Sequence, residues 1–165
     1  HDPLIEDAVD RWSVLARQHN ISVLGLPEQT VCFPGLDLEI WGRAHVDYGN
    51  MHPLRDPPPR GSGWHVSMAH GHYTEQRPAP GIPAASWLIF PEDVEATAAD
   101  YVALGHWNIA RRVGSGQVPA YYSGSPDYAA SINVIRFDNG RAAITLEPIV
   151  PLLPQRERLG EGSPA

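Results

Sequence analysis

Two histidines stand out by position. His70 closes the apolar run Trp64–Ala69 and precedes Gly71, and His106 follows Gly105 at the end of Tyr101–Leu104. Ligands of open α/β sheets gather beyond the carboxyl ends of strands, so both imidazoles stand where a site would form. Eight histidines against one cysteine point to nitrogen and oxygen coordination of a divalent metal rather than thiolate chemistry. The plainer reading of each histidine alone is a hydrogen-bonded structural residue. His72 can line the same cleft or sit in a solvated loop. His45, Asp47 and His52 fall in a polar loop, Arg43 to Gly63, that either covers a site or is simply surface. His65 alternates with Val66 and Met68 and is expected to face away from the core. Tyr121–Pro126 (Y-Y-S-G-S-P) lacks the G-x-S-x-G spacing of a nucleophile elbow. It is expected to form a tight turn fixed by Gly124 and Pro126.

Asp100–Asn108 reads D-Y-V-A-L-G-H-W-N, with Y-S-G-S-P downstream, Ala69-His70-Gly71 upstream and His1-Asp2 at the start. Together these strings resemble the calcineurin-like metallophosphoesterases, in particular their DNA-repair exonuclease branch, over roughly Asp2 to Pro148. That family carries a Gly-Asn-His-Asp motif, then a histidine after a strand, then a Gly-His-x-His motif. His1-Asp2 is similar to the end of the first, His70 to the second, and Gly105-His106-Trp107-Asn108 to the third with asparagine in last place. The resemblance implies an α/β fold: the later half of an αββα sandwich with mixed sheets and C-terminal hairpins.

It also implies a centre of two divalent metal ions, manganese first, with iron, zinc or magnesium as alternatives, ~3.5–4 Å apart. His70 and His106 would bind the second ion, and Asn108 would offer the first a neutral oxygen. His1 would act as general acid or transition-state stabiliser, oriented by Asp2. The implied reaction is phosphodiester hydrolysis, of DNA or a smaller diester. The implied partners are a coiled-coil ATPase and a second copy in a homodimer. The family's Asp-x-His motif, its bridging aspartate and the asparagine before His1 are absent, so this chain alone is expected to be inactive or nearly so. A reading of another class is a degenerate, non-catalytic domain that binds a partner or a single metal, which Asn108 favours.

These residues need a framework. Asp2-Pro3 can start a helix over Leu4–Gln18, where Leu4, Ala8, Trp12 and Leu15 recur at helical spacing. Strands are expected at Ile21–Leu24, Thr30–Phe33, Leu38–Trp41, Trp64–Ala69 and Tyr101–Leu104, and a short helix at Pro91–Ala98. Thr74–Ala85 is a proline-rich excursion. Two hairpins should follow: Arg111–Gly116 with Val118–Ser123, and Ile132–Phe137 with Arg141–Pro148 turning at Asp138-Asn139-Gly140. Trp107 should pack against a second sheet. Residues 1–149 read as one partial phosphoesterase domain, and 150–165 as a Pro/Gly-rich tail or linker.

Composition limits the alternatives. The net charge of −7 gives no sequence-independent grip on nucleic acid, although bound divalent ions change local charge. All positive side-chain charge is arginine, so there is no lysine nucleophile. The single Cys32 precludes an intrachain disulfide and fits a cytoplasmic location. No apolar run nears the ~20 residues of a membrane helix.

Overall fold

The computed structural model describes residues 12, 14, 21–25, 28–45, 49, 52–79 and 87–149. Trp12 and Val14 are helical, in keeping with the expected first helix. The rest of that helix, His19, Asp47 and residues 150–165 lie outside the described residues. The elements are β1 (Thr30–Phe33), β2 (Leu38–Gly42), β3 (Trp64–His70), β4 (His72–Tyr73), β5 (Leu88–Ile89), α1 (Pro91–Ala96), β6 (Tyr101–Gly105), β7 (Arg111–Val113), β8 (Ala120–Tyr122), α2 (Pro126–Ala129), β9 (Ser131–Asp138) and β10 (Arg141–Pro148).

Six strands form one mixed sheet in the order β1-β2-β3-β6-β8-β7. The four central strands β2, β3, β6 and β8 run parallel, and the edges β1 and β7 pair antiparallel. β4 and β5 make a small parallel pair, and β9 and β10 an antiparallel hairpin. The described chain is thus mixed α/β, rich in strand and poor in helix. No helix among the described residues is long and apolar enough to cross a membrane.

One face of the sheet buries Trp41, Val102, Leu104, Ala120 and Tyr122 against Tyr73, Ile89 and Val94 from β4, β5 and α1. The other face meets the β9–β10 hairpin. There Trp64 and Phe137 pack with ring centroids 5.0 Å apart, and Asn133 Nδ2 donates to the Tyr101 hydroxyl over 3.3 Å. The hairpin turns where the sequence predicts. Asp138 pairs with Arg141, and Asn139 (φ 50) and Gly140 (φ 73) supply the two left-handed residues of a tight turn.

Several expectations need correction. Ile21–Leu24 is not a strand. This run packs by side chain instead, with Leu24 close over Gly42 of β2. α1 stops at Ala96: the Thr97 hydroxyl donates to Val94 O over 2.7 Å, and Ala98 turns left-handed at φ 48. β7 and β8 pair over only three residues, because the segment between them has other partners. Gln117 N and Val118 N donate to the Glu95 carboxylate, and Pro119 O accepts from Val102 N.

His65 is the largest departure. Instead of facing away from the core it is 1% exposed, whereas Met68, on the other face of β3, is 44% exposed. The cause lies on the next strand, where Glu39 stands directly opposite His65 in register. His65 Nδ1 donates to Glu39 Oε1 over 2.6 Å, and Ser67 Oγ lies within hydrogen-bond distance of Nε2 at 3.3 Å. The array has the order of a serine–histidine–carboxylate relay, but Ser67 has no exposed surface, so no substrate reaches it and its role is structural.

Burial alone raises the Glu39 carboxyl. Hydrogen bonds from Gly61 N–H and His65, together with the charge of His65, outweigh that and hold it below its ordinary value of 4.5. A carboxyl with a lower pKa in the folded chain binds its proton more readily once unfolded. The stability it adds is complete above 4.5 and is lost as pH falls through the lower folded value. Glu39→Gln should therefore cost about 1.5–3 kcal/mol at pH 7, the usual range for hydrogen bonds to charged groups. In urea denaturation the gap to wild type should narrow as pH falls below 4.5. A gap independent of pH would contradict this role.

Candidate functional site

The four central strands run the same way, so their carboxyl ends lie along one edge of the sheet. β2 ends three residues before His45, β3 ends on His70, β6 ends just before His106, and β8 ends before Ser123-Gly124-Ser125. The β3–β6 register sets His70 opposite Gly105. A Cβ at Gly105 would lie 3.2 Å from His70 Nδ1, so glycine lets that imidazole approach the strand. The His70 and His106 rings then stand edge to face, with centroids 5.5 Å apart at 82°. His72 packs against His106 in the same manner, at 5.4 Å and 84°. Three imidazoles from two neighbouring turns thus stand in a row of ring contacts, with His106 in the middle.

His106 occupies an unusual backbone conformation. The other described non-glycine residues with positive φ lie at 48–54°, in the ordinary left-handed well, whereas His106 is at φ 130. A non-glycine residue held there costs roughly 1–3 kcal/mol and persists only where surrounding contacts over-determine it. Those contacts involve Trp107 and Tyr122. The Trp107 ring stacks on Tyr122 of the main sheet at 4.5 Å and 12°, and its edge meets His72 of the small β4–β5 sheet, with ring centroids 5.5 Å apart. Its Nε1–H donates to His72 Nδ1 over 3.1 Å. The Tyr122 hydroxyl donates to Gly71 O (2.6 Å) and accepts from Tyr73 N (2.9 Å), clamping the turn on either side of His72. Burial pushes this phenol up to about 12, so it stays protonated.

The electrostatics favour neutral imidazoles. Partial burial, then neighbouring positive charge including that of His106 and His45, holds His70 below its ordinary value. Burial, then the charge of His72, does the same for His106. His52 is lowered too, by burial and then by Arg55 and Arg43, with Asp93 opposing. Neutral imidazoles offer the lone pairs that metal ligation needs.

His70 and His106 are therefore brought together, as the sequence suggests. Asn108 is exposed, and its backbone carbonyl accepts from Ser125 N over 3.2 Å. This ties the Y-S-G-S-P segment to the loop after β6. Pro126 then opens α2, so the segment is a turn leading into a short helix. His1 and Asp2 lie outside the described residues. Among the described residues no group of three or more His, Cys, Asp or Glu side chains is placed to hold an ion. Sequence reasoning missed the clamp formed by Trp107 and Tyr122. The only signal for it was two aromatics near the strand ends, which nothing in the sequence pairs.

No family model matches the chain, and no curated protein matches it.

The Trp107 contact fixes a tautomer. Indole nitrogen only donates, so His72 Nδ1 is the acceptor and a neutral His72 carries its proton on Nε2. Long-range ¹⁵N correlation spectra should show His72 as the Nε2–H form, and Trp107→Phe should move it towards a tautomer mixture. A Nδ1–H signal for His72 in the wild-type chain would contradict the assignment.

Proposed function

We propose that this chain carries the histidine side of a divalent-metal phosphoester hydrolase centre, of the calcineurin-like, repair-exonuclease type that its motifs resemble. The observation that carries the reading is the convergence of His70 and His106 at the ends of adjacent parallel strands, with His106 held at φ 130. In this reading the six-stranded sheet is one layer of an αββα sandwich, and the β9–β10 hairpin belongs to the second.

The donor set is mixed: two neutral imidazole nitrogens suit a borderline ion such as Fe²⁺ or Zn²⁺, and the Asn108 amide oxygen, two residues past His106, suits a harder one such as Mn²⁺. The family's further donors lie in the Asp-x-His motif and bridging aspartate, which this sequence does not contain. A bound divalent ion would supply Lewis-acid polarisation of a phosphoryl oxygen. His72, with its proton on Nε2, would donate a hydrogen bond to another oxygen of the same group. His1 and Asp2 take the roles of proton donor and orienting carboxylate. The substrate is a phosphodiester.

A second reading, a non-catalytic domain binding one metal or a partner, is favoured by Asn108 in the place of a histidine and by the partial donor set. Calorimetric titration of the 165-residue chain with MnCl₂, with and without orthovanadate, separates the two. The hydrolase reading predicts saturable uptake that vanadate, a phosphoryl mimic, tightens. His70→Ala and His106→Ala should each weaken it at least about tenfold. Uptake indifferent to vanadate supports the binding domain. Absent uptake contradicts the hydrolase reading and supports the partner-binding domain; uptake unchanged in both variants contradicts metal binding at His70 and His106 in either reading. Hydrolysis of bis-p-nitrophenyl phosphate by this chain alone should stay near background.

A further inference from the structure

The opposite edge of the sheet carries a second concave surface. A cavity of about 450 Å³ lies where the segments leading into β6 and β8 meet the tip of the β9–β10 hairpin. Arg112, Tyr121 and Gln117 come from the β7–β8 side, and Gly140 and Arg141 from the hairpin. Arg112 and Tyr121 are cross-strand partners, so their side chains leave the sheet on the same face. Neither Arg112 nor Arg141 makes an ion pair or a side-chain hydrogen bond among the described residues. The one carboxylate in the cavity wall, Asp100, is already paired with Arg60 and accepts from His65 N over 2.8 Å. Asp138, the cross-strand partner of Arg141, is not part of the wall; its carboxylate accepts from Asn139 Nδ2 over 2.9 Å. The cavity is thus a positively charged recess on a protein of net charge −7.

We propose that this recess binds a phosphate monoester carried on an aromatic base, a ligand of the nucleoside monophosphate kind. Two guanidinium forks on facing walls suit the oxygens of one phosphate, which arginine grips bidentately. Tyr121 supplies the flat surface. Its ring is half-buried and stacked on the buried Tyr101 at 6.0 Å and 26°, so it is held rigid where a base can lie on it. The volume falls within the roughly 300–1,000 Å³ of small-ligand sites. The recess is separate from the histidines. Five residues of β6 divide its two ends, roughly 16 Å at about 3.3 Å per residue.

Calorimetric titration of the 165-residue chain, in EDTA to exclude metal, tests this without reference to the histidine centre. AMP should bind saturably, ribose 5-phosphate more weakly and adenosine least. R112Q and R141Q should each weaken AMP at least about tenfold, with thermal melts unchanged because both side chains are exposed. A 5′-phosphorylated tetranucleotide that binds as tightly as AMP identifies a strand end as the source of the phosphate. Weaker binding of it identifies the free nucleotide, which the net negative charge favours. No saturable AMP binding by the wild-type chain, or binding that the R112Q/R141Q double variant retains, overturns the proposal.

Discussion

The histidine edge of this protein depends on one buried phenol. The Tyr122 hydroxyl satisfies Gly71 O and Tyr73 N at once, and its ring carries the stacked indole of Trp107. It therefore joins three chain segments that have no sequence proximity: the end of β8, the turn between β3 and β4, and the loop after β6. Each of those backbone groups is buried, and leaving one unsatisfied costs about 1–3 kcal/mol. The clamp holds the turn that places His70 and His72. Through Trp107 it also holds the loop in which His106 adopts φ 130. Strain at one residue is tolerable because its neighbours on both sides are fixed by a stacked ring and a paired strand.

The two edges of the sheet differ in chemistry. At the carboxyl edge, burial and then neighbouring positive charge hold His70 and His106 below the ordinary histidine value, which favours their neutral, lone-pair-bearing form. At the amino edge, Arg60 holds Asp100, and the Glu39–His65 pair is sealed beneath the core face. The charge left exposed in the recess there is that of Arg112 and Arg141. One mixed sheet thus presents imidazole nitrogens at one end and guanidinium groups at the other.

Much of this framework was legible in the sequence. The β9–β10 hairpin followed from Asp138-Asn139-Gly140 between two alternating runs, because few residues other than asparagine and glycine accept two consecutive left-handed conformations. β3 and β6 followed from short apolar runs that end at a glycine-flanked histidine. Other features depended on pairing partners that a linear pattern does not contain. His65 is buried because Glu39 lies opposite it on β2. Ile21–Leu24 stays out of the sheet and packs Leu24 over Gly42, a contact with β2 that a linear pattern does not show. The β7–β8 loop is long because Glu95, more than twenty residues upstream, takes its amide hydrogens. Of the candidate site, the meeting of His70 and His106 could be read from their shared strand-end context. The part played by His72 could not, because it rests on a hydrogen bond from Trp107 that spans 35 positions.

The central claim is that His70 and His106 hold one divalent ion between them. The most direct measurement is anomalous diffraction at the manganese edge from crystals of the chain grown with MnCl₂. The account predicts an anomalous peak within ligand distance of both imidazoles and clear of His65. A peak elsewhere on the chain, or none beside the two rings, would contradict it.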